Sequence, residues 1–295
     1  MIPMDKLNKI PSRIAVVWNP GVREAAALAE EIIAELKLRS VDFVEAFSLD
    51  DYESRQKITD GEFDMMIALG GDGTMLRAGK LGAVHRTPVM GINMGHFGFL
   101  VDTERSEWRE KVGDLLSGKY ELDRRMMMHA EHRSRDGEVL HSAEVLNDLV
   151  IARELSMRPV HLTVKINSIE LAEYVADGLI LSTATGSTAY TTSVGGAILR
   201  PDMREMLLTP IAPVHCVDRC LILPESDVVH FTVGGNVETL CSPDGQEGFP
   251  VEKGEQVIAY ASVENAWFVR FGDKGAFYRK VTSLMQRNPS IGKEY

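Results

Sequence analysis

GGDGTMLRAGK (70–80), with the apolar run MMIAL (65–69) leading into it, decides the fold of this chain. The apolar run reads as a buried strand, and Met75, Leu76, Gly79 and Leu81 read as the opening of a helix. Gly70, Gly71 and Gly73 at such a strand-to-helix turn let backbone N–H groups come close to a phosphate. Phosphate at a helix N-terminus also gains from the dipole. Asp72 is out of place in a turn that only binds anions, because a carboxylate repels phosphate. Its functional tasks are taking a proton from an attacking hydroxyl or holding Mg²⁺ beside the phosphates. Its structural task is capping a helix that begins near Thr74.

Outward from this turn, residues 14–18, 41–47, 64–69 and 88–93 read as short strands. Ala25, Leu28, Ala29, Ile32, Ile33 and Leu36 recur at helical spacing, and 107–116 carries Trp108, Val112, Leu115 and Leu116 on one side. A second glycine turn, GHFG (95–98), directly follows a strand. Alternating strands and helices predict a parallel sheet wound by helices, with ligands beyond the carboxyl ends of the strands, where both glycine turns lie. From Arg125 onward most segments read as strands: 126–132, 139–152, 161–166, 178–182, 220–223, 228–233, 256–261 and 267–271. Helical signal there is confined to 189–193, 203–208 and 276–285. The expected fold is an α/β N-terminal domain (1–124) plus a mainly β C-terminal domain (125–271), with the active site in the cleft between them. The tail, 272–295, is expected to pack back on the first domain.

The 295 residues are 44% hydrophobic and 25% charged, as in ordinary soluble domains. Against 43 acidic residues stand 32 basic ones, a net charge of −11, which argues against a general binder of nucleic acid or acidic membranes. Cys216, Cys220 and Cys241 form no disulfide framework and predict a reducing compartment. Zinc held with His215 is the alternative; the spacing favours buried free thiols. The opening MIPMDKLNKIPSR lacks the apolar centre of a signal peptide, and no run is long enough to span a bilayer, so a cytoplasmic location is expected.

Asp177 and the segment LILSTATGSTAYTTSVGG (179–196) crowd Ser182, Thr183, Thr185, Ser187, Thr188 and Tyr190 around Gly186. An ST-turn at a helix cap needs fewer hydroxyls, so a ligand loop is the favoured reading. Asn147 and Asp148 interrupt the strand-like EVLNDLVIA (144–152). A bulge or edge turn explains them without function; a pair gripping ribose hydroxyls explains them with function. DGQ (244–246) reads as a hairpin turn, His96 as a turn residue, and Phe97 and Phe99 as core or as a ring stacked on a base.

Together these segments resemble NAD kinases. GGDGTMLR, NMGHFGFL, VLNDLVIA, DGLILSTATGSTAY, GGAI, LTPIAP, RCLILP and DGQ occur in that family's order over most of the chain. The resemblance implies transfer of a phosphoryl group from ATP, with Mg²⁺, to the 2′-hydroxyl of the adenosine ribose of NAD, giving NADP. It implies that Asp72 is the catalytic base, and that Gly70, Gly71, Gly73 and Thr74 bind phosphate, with Gly73 also beside the substrate. Arg77 then matches a ligand contact, Phe99 an aromatic near the adenine, and Asn147 with Asp148 a pair that holds the dinucleotide. Asp177 and the run Thr188, Ala189, Tyr190, Thr191, Thr192 and Ser193 match contacts around the nicotinamide half, and Arg158 and Gln246 further contacts. The family is typically a homodimer or homotetramer. This chain departs from it at Asp148, where glutamate is usual, at Ala184, which replaces a proline, at Val175, where some members carry arginine, and at Val214, where a histidine often stands. A lipid kinase sharing the GGDGT turn and a dinucleotide sensor without catalysis are the competing readings.

Overall fold

A computed structural model describes residues 10–22, 24–95, 98–155, 157–214, 218–272 and 275–286. The chain divides into two compact units, 1–124 with 267–295, and 125–266.

The first unit contains β1 (Arg13–Trp18), α1 (Ala25–Leu38), β2 (Phe43–Ser48), α2 (Tyr52–Thr59), β3 (Met65–Gly70), α3 (Asp72–Ala83), β4 (Val89–Asn93), the short β5 (Thr103–Glu104) and α4 (Trp108–Leu116). In sheet order these strands run β2-β1-β3-β4, with β5 beside β4, and every pairing is parallel. β3 is central and buried along its whole length, which explains its unbroken apolar run. Apolar faces of α1 (Leu28, Ile32, Leu36) and α4 (Trp108, Val112, Leu115) cover the sheet residues Ile14, Val16, Ile67 and Ile92 in one core. β1 leads to β2 on one side and the chain then crosses to β3 on the other, so strand order reverses at β1. At such a point the loops beyond the carboxyl ends separate and leave room for a ligand.

The second unit takes up β6 (Glu121–Arg133), β7 (Val139–Val145), β8 (Asp148–Arg153), β9 (Val160–Ile166), β10 (Ile169–Ala176), β11 (Gly178–Thr183), a single 3-10 turn (Gly186–Thr188), the one-turn α5 (Tyr190–Ser193), β12 (Glu205–Ile211), β13 (Leu221–Pro224), β14 (Val229–Val233), β15 (Thr239–Pro243), β16 (Phe249–Pro250) and β17 (Gln256–Arg270). β13-β12-β11-β8-β15-β16 form one antiparallel sheet. β10-β9-β14-β17 form another, with β6 pairing β17 and β7. Side chains of both, among them Leu162, Tyr174, Leu179, Leu181, Leu208 and Phe231, share one core. β17 carries the chain back into the first unit, where Phe268 pairs in parallel with Val89 of β4, and α6 (Ala276–Gln286) follows.

The fold differs from expectation in particular places. The helix expected over 203–208 is strand β12, whose Met206, Leu207, Leu208, Thr209 and Pro210 are all buried. A strand covered on both faces shows an apolar run rather than alternation, and a short run of that kind also fits a helix. The single strand expected over 139–152 breaks after Val145, and the two strands expected at 256–261 and 267–271 are one, β17. Cys241 is buried, and burial pushes its thiol up to about 12. Cys220 is half-buried and free, whereas His215 and Cys216 lie outside the described residues. Among the described residues no group of three or more His, Cys, Asp or Glu is placed to hold a metal, and no helix is long and apolar enough to cross a membrane.

Ile67, at the middle of β3, is fully buried. Ile67→Ala is expected to cost about 2–5 kcal/mol, because partial relaxation leaves a cavity. A lower urea midpoint for the first unit, with an unchanged slope, is the measured result.

Candidate active site

The register of β3 on β4 places Gly70 opposite Asn93, so the glycine turns that follow these strands lie side by side at the carboxyl edge of the sheet. Gly71 is the N-cap of α3 and Asp72 its first helical residue. Asp72 is therefore not the cap: the Thr74 and Met75 amides bond the Gly71 carbonyl, at 3.0 and 3.1 Å. The Asp72 carboxylate instead crosses to the neighbouring turn. Its Oδ2 accepts the Phe99 amide at 2.7 Å, and its Oδ1 accepts the amides of Leu100 at 2.8 Å and Val101 at 3.4 Å. Gly98 makes the approach possible, since a Cβ there would lie 2.2 Å from Asp72 Oδ1.

First-turn amides of a helix have no partner within the helix, and with the dipole they form an anion site. α3 presents such a turn at Asp72 and exposed Gly73, the Thr74 amide being taken by the Gly71 carbonyl, and Gly70 packs against the Thr74 side chain. Arg77 donates to the Leu49 carbonyl at 2.9 Å and to Asp50 Oδ1 at 2.5 Å, tying α3 to the residues that follow β2. The Phe99 ring lies 6.3 Å from the Phe277 ring of α6. His96 and Phe97 are outside the described residues.

In the second unit, Asn147 and Asp148 stand where the chain leaves β7 for β8, which belong to different sheets. The polar pair is thus neither a bulge nor an edge turn within one strand. Asp244 gathers the amides freed by this crossing: its Oδ1 accepts from Asn147 at 2.7 Å and Asp148 at 3.3 Å, and its Oδ2 from Leu146 at 3.1 Å. Asp244 and Gly245 both have positive φ, 54° and 63°, as the two central residues of a type I′ hairpin turn. Exposed Gln246 closes that turn through its amide on Pro243, and its carbonyl accepts from Ser242. The Asp148 carboxyl is only 5% exposed, and burial first, then the Asp244 carboxylate, push it up to about 6 against the Tyr190 amide that bonds it.

Most hydroxyls of the 182–192 segment donate inward. Thr183 bonds the Leu146 carbonyl at 2.6 Å, Ser187 that of Ala184 at 2.7 Å, Thr188 that of Thr185 at 3.2 Å and Thr192 that of Ser187 at 2.6 Å. Thr191 bonds Ser182 Oγ at 2.9 Å, and Arg125 donates to Thr185 at 3.2 Å. The hydroxyls therefore build the loop, and its outward surface is made by Thr188, Ala189, Tyr190, Thr192 and Ser193, with Thr191 buried. Gly186 presses on the backbone of Asn147, 2.0 Å from its oxygen at an imagined Cβ, so this loop and the Asn147–Asp148 pair are one assembly. Asp177 is held by the Arg153 fork at 2.8 and 3.3 Å, while Arg158 is exposed on the segment before β9. From the sequence the Asp244 carboxylate reads only as turn chemistry; the Asp-Gly pair at 244–245 gives the turn but not what the carboxylate bonds.

An acid-bearing glycine turn at the carboxyl edge of a parallel sheet, with a mainly β unit following in the chain, fits the class of phosphotransferases. The model of the ATP-NAD kinase N-terminal domain matches residues 14–120, and that of the ATP-NAD kinase C-terminal domain matches 146–271. An NAD kinase of Heliobacterium modesticaldum is 36% identical over 228 residues, covering 77% of this chain and 80% of that protein. The chain belongs to the NAD kinase family and is a phosphotransferase. Its fold is also that of a yeast NADH kinase complexed with NADH (TM-score 0.81, 22% identity, 97% of this chain and 91% of that one). An NAD kinase from Archaeoglobus fulgidus in complex with ATP is similar at a TM-score of 0.72 and 22% identity, covering 92% of this chain and 99% of that one.

The Asp148 carboxyl generates a stability prediction. Unfolded, it takes its proton near the ordinary value of 3.8; folded, near 6. Between those values the folded state holds the extra proton, so stability falls as pH rises, by about 3 kcal/mol in all, and levels off above pH ~6. Urea unfolding from pH 4 to 7.5 is expected to show this decline in the wild type relative to Asp148→Asn, which lacks the titrating group.

Proposed function

We propose that this chain transfers the γ-phosphoryl group of ATP to the 2′-hydroxyl of the adenosine ribose of NAD, in a Mg²⁺-dependent reaction that gives NADP. The observation that carries the reading is the Asp72 carboxylate, fixed by three backbone amides beside the first turn of a helix that can receive phosphate. A carboxylate offers about four acceptor positions, so three amides leave one for a substrate hydroxyl. Asp72 accepts or orients the ribose proton as the hydroxyl attacks the γ-phosphorus in line. The Gly70, Gly71, Gly73 and Thr74 backbone receives the ATP phosphates. Positioning and fixed dipoles supply the rate, because phosphoryl transfer asks little covalent chemistry of the protein.

The donor set suits an ion that arrives on the nucleotide: Mg²⁺ keeps waters and phosphate oxygens and takes only one or two carboxylates. The ion would be held chiefly by phosphate oxygens and water beside the Gly70–Thr74 turn, where it would neutralise phosphate charge. In the second unit, Asn147 and Asp148 grip ribose hydroxyls, and Asp177 with residues 188–193 surrounds the nicotinamide half. Phe99 lies toward the adenine, and Arg77, Arg158 and Gln246 make the outer contacts. The protein acts in the cytoplasm as a homodimer or homotetramer.

Incubation with NAD, ATP and Mg²⁺ is expected to yield NADP, and replacing NAD with diacylglycerol to yield no phospholipid. Binding of NAD with no NADP formed would instead identify a sensor. Asp72→Asn is expected to lower kcat by roughly a hundredfold or more, the loss of a general base, while NAD affinity measured by calorimetry changes little. Unchanged turnover in that variant removes Asp72 from the mechanism.

A further inference from the structure

Two of the three amides that hold Asp72, those of Leu100 and Val101, belong to peptide groups whose oxygens are also bonded. Lys280, on α6, donates to the Phe99 carbonyl at 3.2 Å and the Val101 carbonyl at 2.6 Å. Arg270, at the end of β17, donates to the Leu100 carbonyl at 2.7 Å and pairs with Asp123 at 3.1 Å. The Phe99–Leu100 peptide therefore has an ammonium on its oxygen and the Asp72 carboxylate on its N–H. The Leu100–Val101 peptide has a guanidinium on its oxygen and the same carboxylate on its N–H. A cation on a peptide oxygen polarises the N–H, which strengthens the bond that the N–H donates.

Lys280 is poorly placed for a merely solvating role. Its side chain is 21% exposed, and the Asp102 carboxylate lies at 3.4 Å, farther than the Val101 carbonyl. Burial first, then Arg270, pull its ammonium below the ordinary lysine range, while Asp102 and Asp72 work to raise it. A half-buried cation with this cost stays only where it is held, and it is held by the carbonyls of the segment that fixes Asp72.

We propose that Lys280 is a positioning residue for phosphoryl transfer, acting on the Asp72 carboxylate through the Phe99–Leu100 peptide and holding the same turn by the Val101 carbonyl. The role rests on the reading of Asp72 as the group that meets the substrate hydroxyl. It makes the C-terminal helix part of the catalytic apparatus without contact to substrate.

The test compares Lys280→Met, Lys280→Gln and Lys280→Arg with the wild type in two measurements. Hydrogen exchange of the 99–101 amides reads the positioning itself and does not depend on activity. Steady-state kinetics with NAD and ATP reads its consequence. In K280M the three amides exchange faster, kcat falls roughly tenfold to a hundredfold, as expected when charge-assisted bonds are lost, and KM for NAD stays within about threefold. K280R restores most of kcat. K280Q keeps a donor of similar reach, so α6 docks even if K280M fails to fold, and its kcat lies between those of K280M and K280R. Unchanged exchange at 99–101 overturns the proposal, as does a K280Q or K280M enzyme with wild-type kcat. Asp72→Asn separates the two ideas: if it too keeps wild-type kcat, the reading of Asp72 has failed, whereas a dead Asp72→Asn beside an active K280M rejects Lys280 alone.

Discussion

A carboxylate on the first residue of a helix, bonded to three successive backbone amides of a neighbouring turn, is the constraint on which the first unit is organised. It requires two parallel strands that end at the same level, which the Gly70–Asn93 register provides. It requires a residue without a side chain at 98, because the carboxylate occupies the space of a Cβ. It also requires that the turn bearing the amides be held from behind, since a loop free to rotate would return its N–H groups to water. Lys280 and Arg270 hold it by its carbonyls. The buried β3, the glycine turns and the C-terminal helix thus serve one arrangement of charge.

The second unit meets a similar problem differently. Its polar loop is built by hydroxyls that donate to nearby carbonyls and to one another, so a segment rich in serine and threonine is rigid without being apolar. Asp244 does for the amides at 146–148 what Asp72 does for those at 99–101: a carboxylate satisfies backbone donors that the change of sheet leaves open. The consequence is a buried carboxyl, Asp148, close to another carboxylate and held near neutrality in its titration, at about 6. A shift of that origin is common where carboxylates are used for binding or chemistry. The Tyr190 amide, which bonds the Asp148 carboxyl, works in the opposite direction without cancelling the shift.

Local chemistry was legible wherever it is local. The glycine turns, the amphipathic α1 and α4, the parallel sheet and the mainly β character after Arg125 follow from periodicity and turn residues. The family follows from motifs in order, and both domain models match it. Strand β12 was misread because burial on both faces erases the period that distinguishes strand from helix. The break after Val145 was invisible because apolar residues continue on both sides of it while the partner sheet changes.

What the sequence by itself determined is which residue types stand at each turn: an acid among glycines at 70–73, a hydroxyl-rich loop at 182–193 and an Asp-Gly turn at 244–245. Only the tertiary structure decided what each group bonds. It turned Asp72 away from capping its own helix and onto amides 27 to 29 residues later, and it brought Lys280 to carbonyls some 180 residues earlier. The physical reason is that hydrogen-bond partners are chosen by proximity across strands and helices that meet only after folding, and sequence spacing carries no record of that proximity.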